Sequence, residues 1–168
     1  FKQKTAYEIS TRDWSSDVCS SDLAAERFAA SRGARLPAAM RTEMVAEVEA
    51  ILGDPTFAAL FGPGSRAEVP IVGRLVTTEG EAIEVSGRID RLVVTAEEAW
   101  IVDHKTDRAA GGGARADQVA QLALYRALIA RLHPGRRVRC ALLWTALPRL
   151  EEISPDLLDA AARRIALS

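Results

Sequence analysis

Three β-branched runs, separated by connections too short for anything but tight turns, constrain this chain most. "AEVPIVGRLV" (67–76), "EAIEVSGRIDRLVVT" (81–95) and "EAWIVDHK" (98–105) are joined by "TTEGE" and "AEE". Such runs pair with their chain neighbours, so an antiparallel meander is predicted. Pro70 cannot donate to a ladder, which places the first run at a sheet edge or a bulge. "DRAAGGGARAD" follows as a loop, and the spacing then predicts a helix over Asp117–Leu132 that ends at "HPG". "RRVRCALLWTAL" is a fourth predicted strand. "SPDLLDAAARRIAL" is a last helix, with Ser154 as its cap and Pro155 in its first turn.

Upstream of the meander the pattern is helical. Ala24–Gly33 and Pro37–Gly53 are predicted helices, the second with apolar residues at Met40, Met44, Val45, Val48, Ile51 and Leu52 before it stops at glycine. "DPTFAALFG" restarts a short helix behind an Asp54 cap, and "GPGS" breaks it. Helices, a strand meander, a crossover helix, a strand and a final helix predict an α/β fold, a mixed β-sheet flanked by helices.

The first 23 residues differ in character. "FKQKTAYEISTRDWSSDVCSSDL" is Ser/Asp-rich and lacks either periodicity. "KQKTAYEI" and "DWSSDVCSSDL" resemble two parts of a sequencing adapter translated in one frame, so this leader is set aside from fold reasoning. On that expectation Cys19 is not native, and natural sequence before Leu23 is missing. The domain organisation becomes a leader over 1–23, a helical lead-in over 24–64 and a main domain over 65–168.

The rest of the chain carries nineteen basic and nineteen acidic residues, so no global charge advertises nucleic acid; any such binding comes from local patches. No apolar run is long enough to span a bilayer and no signal peptide is legible, which points to a soluble cytoplasmic protein. Cys140 alone supports neither a disulfide framework nor a thiolate metal cluster.

The chemistry gathers in "IVDHKTD" (101–107). Of the three lysines, Lys2 and Lys4 lie in the leader, so outside it Lys105 stands alone among eighteen arginines. In a strand, Asp103 and Lys105 share a face, and the short "TAEEA" connection brings Asp90 of "GRIDRL" alongside. Two carboxylates converging with one ammonium suit a hard divalent cation such as magnesium, with substrate phosphate oxygens completing its shell. His104 faces the other way, but its backbone carbonyl is within reach of the same ion. The lysine would hold an attacking water or neutralise charge on a phosphorane-like transition state, and a guanidinium fork does not substitute for a compact amine. Alone, an Asp-x-Lys pair is more often a surface ion pair. The apolar lead-in "AWIV", the neighbouring Asp90 and the solitary lysine distinguish this one.

Taken together, "GRIDRL", "IVDHKTD" and "QLALYRAL" resemble the PD-(D/E)XK nuclease superfamily. They are most similar to the C-terminal nuclease domain of AddA-type subunits of bacterial AddAB helicase–nucleases, relatives of RecB. "EVPIVG" and "ALLWTALPRLEEI" fit as well, so the resemblance runs from about Arg66 to Ile153. It implies Asp90 and Asp103 as metal carboxylates and Lys105 as the catalytic lysine. Gln121 and Tyr125 match the helix beside the site, where they would reach DNA phosphate or support the ligands; a spacing of four puts both on one helical face. Glu68 matches a first-strand glutamate that is either a further ligand or a strand-end polar residue.

The implied activity is a Mg2+-dependent DNA exonuclease, Mn2+ serving as well, within an ATP-dependent double-strand-break repair complex. DNA and an AddB-like subunit are the implied partners, and ATP is used only in a helicase region that is not present here. An iron–sulfur type is disfavoured, because one cysteine cannot hold a cluster. RecB-like nucleases carry a further histidine ligand on an upstream helix, and none is found here. The resemblance therefore implies a domain truncated through that helix. The alternative is a catalytically incomplete fragment that only binds DNA or its partner.

Overall fold

In the computed structural model, residues 18–106 and 113–165 are described, residues 18–24 by their backbone alone. The elements run α1 (Val18–Arg32), α2 (Ala38–Leu52), a 3-10 turn (Pro55–Phe57), α3 (Ala58–Phe61), β1 (Ser65–Val76), β2 (Ala82–Val94) and β3 (Glu98–Lys105). They continue as α4 (Ala116–Leu132), β4 (Arg137–Trp144), β5 (Arg149–Ile153) and α5 (Pro155–Arg164). The five strands form one sheet in the order β1-β2-β3-β4-β5. β3 and β4 are parallel across the α4 crossover, and the other pairs are antiparallel, so the sheet is mixed as the sequence predicts. Pro70 does lie on an edge strand, paired with Arg88 of β2.

Each sheet face has its own core. Under α4 and α5 lie Ile71, Leu75, Ile89, Leu92, Ile101, Leu122 and Leu142, all nearly inaccessible. On the reverse face Val93, Val102 and Leu143 pack against Ile51 at the end of α2, Phe57 of the 3-10 turn and Leu60 of α3. Local chemistry sets the connecting ends. The Asp54 carboxylate accepts from the Thr56 amide at 2.8 Å, and the Ser154 hydroxyl accepts from the Leu157 amide at 3.3 Å. α4 stops at His133, before Pro134 and a left-handed Gly135 with φ of 84°.

Two expectations change. A fifth strand, Arg149–Ile153, is present where none is predicted; "RLEEI" has only two apolar residues, and its strand character comes from pairing with β4. α1 begins at Val18, inside the segment set aside as leader, rather than at Ala24. The apolar row of α2 is not a core face as a whole. Ile51 is buried, whereas Met40, Met44 and Val48 are each more than 40% exposed. α2 meets the body of the domain through Ile51 near its C-terminal end and through the 3-10 turn.

Candidate active site

The site forms where β2 and β3 stop pairing. Their ladder runs from Val94↔Ala99 to Arg91↔Val102 and goes no further. Asp90 and Asp103 are the next residues on each strand, so their carboxylates stand at the mouth of a fork. The Asp90 carboxylate takes up a hydrogen-bond donor that the parting strands leave open, the backbone N–H of His104, at 2.8 Å.

The strands on either side of this fork are irregular next to Asp90. Along β2, Val85 and Ile89 face the α4 core, yet so does Leu92, whereas Val93 lies in the core of the reverse face. An odd step between Ile89 and Leu92 means that side-chain alternation inverts at Asp90 and Arg91. β1 inverts at the same level. Val69 packs toward α4, but Ser65 faces the reverse side, where its hydroxyl accepts from Arg91 at 2.8 Å and Arg91 stacks over Phe61. The one rung missing from the β1–β2 register is Glu68 opposite Asp90. Glu68 has φ of 54°, the only positive φ at a non-glycine among the described residues.

Asp103 and Lys105 project from the end of β3 on the α4 side, as period two requires, and form an ion pair. Their side chains are only 15% and 21% exposed. Burial pushes the Asp103 carboxyl above its ordinary value; Lys105 opposes that shift and the Asp90 carboxylate adds to it. His104 points to the reverse face, where burial first and the Arg91 charge second leave its pKa lowered despite Asp90, Asp103 and Glu68. Its ring Nε2 is buried without a hydrogen-bond partner.

The α4 wall bears the helix pair. Tyr125 is buried with its hydroxyl against Gly87 of β2, and it accepts from the Gln121 amide at 3.1 Å. A Cβ at Gly87 would lie 2.0 Å from that hydroxyl, so the glycine is what lets α4 sit this close to β2. Gln121 is exposed. The opposite wall was not foreseen as part of the site. Trp144 is the β4 neighbour of Lys105, and its indole N–H donates to Glu151 at 2.9 Å. The same carboxylate accepts from the Ala114 amide at 3.0 Å, which ties the entry of α4 to β5. "RLEEI" carries no alternation that would signal it, since Leu150 and Ile153 lie three apart.

Thus Asp90, Asp103 and Lys105 come together, and Gln121 joins Tyr125. The Glu68 carboxylate instead pairs with Arg88 at 3.1 Å, both side chains more than 60% exposed. Among the described residues, no group of three or more His, Cys, Asp or Glu side chains converges as a metal cage. The two carboxylates still fit a hard divalent cation: a buried pair that raises the Asp103 carboxyl is the electrostatic situation a cation relieves, and magnesium needs only one or two protein carboxylates. Of the arginines near the meander, Arg91 is half-buried on the reverse face, Arg88 is paired with Glu68, Arg115 pairs with Asp117, and Arg108 lies outside the described residues.

The profile of the PD-(D/E)XK nuclease superfamily matches residues 3–165. The chain belongs to this superfamily. Membership indicates nuclease activity, and PD-(D/E)XK nucleases typically use divalent metals such as Mg2+. The match reaches into the first 23 residues, which the sequence reading had set aside. No curated protein matches. A solved structure described as "Crystal structure of SSO0001" is similar over 85% of this chain and 71% of that chain, at 13% identity and a TM-score of 0.40. No helix among the described residues is long and apolar enough to cross a membrane.

Proposed function

We propose that this domain is a Mg2+-dependent DNA exonuclease of the AddAB/RecBCD type, working in a double-strand-break repair helicase–nuclease with an AddB-like partner. The observation that carries the nuclease chemistry is the convergence of Asp90 and Asp103 beside the Lys105 ammonium at the fork of β2 and β3. Asp90 and Asp103 hold the cation, with the His104 carbonyl a further candidate ligand. When bound, the cation supplies Lewis-acid stabilisation of charge developing on the scissile phosphate. Lys105 orients the attacking water and stabilises charge on the phosphoryl oxygens. Asp103 keeps the ammonium in place, and the His104 amide keeps Asp90 in place. Gln121 and Tyr125 form the α4 side of the channel, with the exposed Gln121 as the phosphate contact. The motor and partner assignments rest on the resemblance of "GRIDRL", "IVDHKTD" and "QLALYRAL" to the AddA nuclease domain.

A second reading, a domain that binds DNA or its partner without cutting, is favoured by the lack of a third ligand side chain beside the two aspartates among the described residues. One experiment separates the two. The full chain is incubated with end-labelled single-stranded DNA and Mg2+ or Mn2+, beside Lys105→Ala and Lys105→Arg. Cleavage by the parent, reduced on the order of 100-fold in both variants, supports the nuclease. Binding without cleavage by all three supports the binding module, and equal cleavage by all three removes Lys105 from the mechanism.

A further inference from the structure

We propose that Glu68 is a positioning residue acting through its backbone: its left-handed conformation breaks side-chain alternation in β1 and β2 and thereby sets the Asp90 carboxylate against the His104 amide at the fork. The inference rests on the nuclease reading above for its consequence, but not for its geometry. Regular alternation would put Ile89 and Leu92 on opposite faces of the sheet. Instead Ile89 and Leu92 share the α4 core, and Asp90 between them meets the His104 amide at the fork. The irregularity occupies one rung. The β1–β2 ladder is continuous from Ser65↔Val93 to Val76↔Ala82 except at Glu68 and Asp90. That rung carries the φ of 54°. A strained residue persists only where the surroundings hold it, and here the held feature is the direction of the Asp90 carboxylate.

The Glu68 side chain is not what holds it. Its ion pair with Arg88 is largely solvated, and such exposed pairs contribute little. Position 68 is therefore expected to tolerate glycine, which enters the left-handed region freely, and glutamine, which keeps the chain length without the charge. It is expected to reject valine, whose branched Cβ disfavours that region.

The test uses the full chain and three variants, Glu68→Gly, Glu68→Gln and Glu68→Val, with two readouts. The first is hydrogen-exchange protection of the His104 amide in metal-free protein, compared with Val102 as a control inside the β2–β3 ladder. The second is Mn2+ affinity by calorimetry. Gly and Gln should keep His104 protection and Mn2+ affinity within about threefold of the parent. Val should lose at least tenfold of both while Val102 stays protected. If Val fails to fold, Glu68→Ala takes its place: it lacks the branched Cβ but still disfavours the left-handed region relative to glycine, so it should lose His104 protection and Mn2+ affinity relative to Glu68→Gly, and equal values for Ala and Gly would overturn the proposal. Loss of tenfold or more of Mn2+ affinity in Gly and Gln alike, with His104 protection intact, would overturn the proposal in favour of a carboxylate ligand. Unchanged His104 protection in Val would overturn it outright. A parent that binds no Mn2+ but shows the amide pattern would remove the metal reading and leave the positioning role standing.

Discussion

The Asp90 carboxylate accepts a hydrogen bond from the backbone N–H of His104 at 2.8 Å, so a metal-ligand candidate on one strand is also the hydrogen-bond partner of the backbone beside Lys105 on the next. This couples fold and chemistry at a single side chain. Asp90→Asn keeps an oxygen for the His104 amide and loses the charge. Asp90→Ala loses both, and leaving such a donor unpaired costs about 1–3 kcal/mol. Thermal unfolding should therefore separate the two: near-parental Tm for Asn, a clear drop for Ala. Cleavage should fall on the order of 100-fold or more in each. Equal stability of the two variants would mean that solvent replaces Asp90 as acceptor.

Asp103 has the opposite relation to stability. Burial raises its pKa despite the hydrogen bond and charge of Lys105, and the Asp90 charge adds a smaller push in the same direction. A carboxyl whose folded value is raised favours the fold below its unfolded pKa and loses that contribution as pH rises through the folded value. At neutral pH the ionised Asp103 is thus a burden on the fold. Asp103→Asn should raise Tm at pH 7 while abolishing cleavage, and the gain should vanish as pH falls below the ordinary carboxylate range. Calorimetric scans from pH 3 to 8 check the slope; a lower Tm at pH 7 would show that the pairing with Lys105 outweighs burial.

Much of this was legible in the sequence because it follows from periodicity. Asp103 and Lys105 share a face by period two alone, and the brevity of "TAEEA" brings Asp90 within reach of them. The cap at Ser154 and the stop at Pro134–Gly135 were legible for the same local reasons. What sequence could not show depends on partners far along the chain. Strict alternation counted from Ile89 puts Leu92 on the wrong face, and the irregularity lies at the rung of Asp90 and Glu68, 22 positions before it. β5 is a strand because β4 offers it an edge. The row of Met40, Met44 and Val48 has helical spacing, but spacing cannot say whether anything packs against it.

The contact of Tyr125 with Gly87 gives a prediction about packing. A Cβ at position 87 meets the phenolic oxygen at 2.0 Å and the ring carbon behind it at 2.9 Å. Gly87→Ala must therefore push α4 away from β2, and overpacking of this kind costs about 1–3 kcal/mol. Tyr125→Phe removes the worse of the two overlaps. In that background the Gly87→Ala penalty should shrink without disappearing. A double-mutant cycle of Tm values measures the coupling. Additive effects would show that α4 already has room to move.

Cys140 tests the core under α4 from within. It is fully buried on β4, its thiol lies 3.8 Å from the Leu122 carbonyl, and burial pushes its pKa up to about 12. The thiolate is the reactive form, so in the native protein at pH 8 Cys140 should resist iodoacetamide and react only as the chain opens. Site-resolved mass spectrometry separates it from Cys19. The same shift has a sign for stability. The unfolded thiol ionises near 9.0 and the folded one near 12, so this contribution is whole below pH 9 and is lost as pH rises toward 12. Cys140→Ala should flatten the alkaline limb of the stability curve while lowering Tm at pH 7 through the cavity it leaves. Rapid alkylation of Cys140 at pH 8 in fully folded protein would mean that α4 opens away from the sheet locally, without global unfolding.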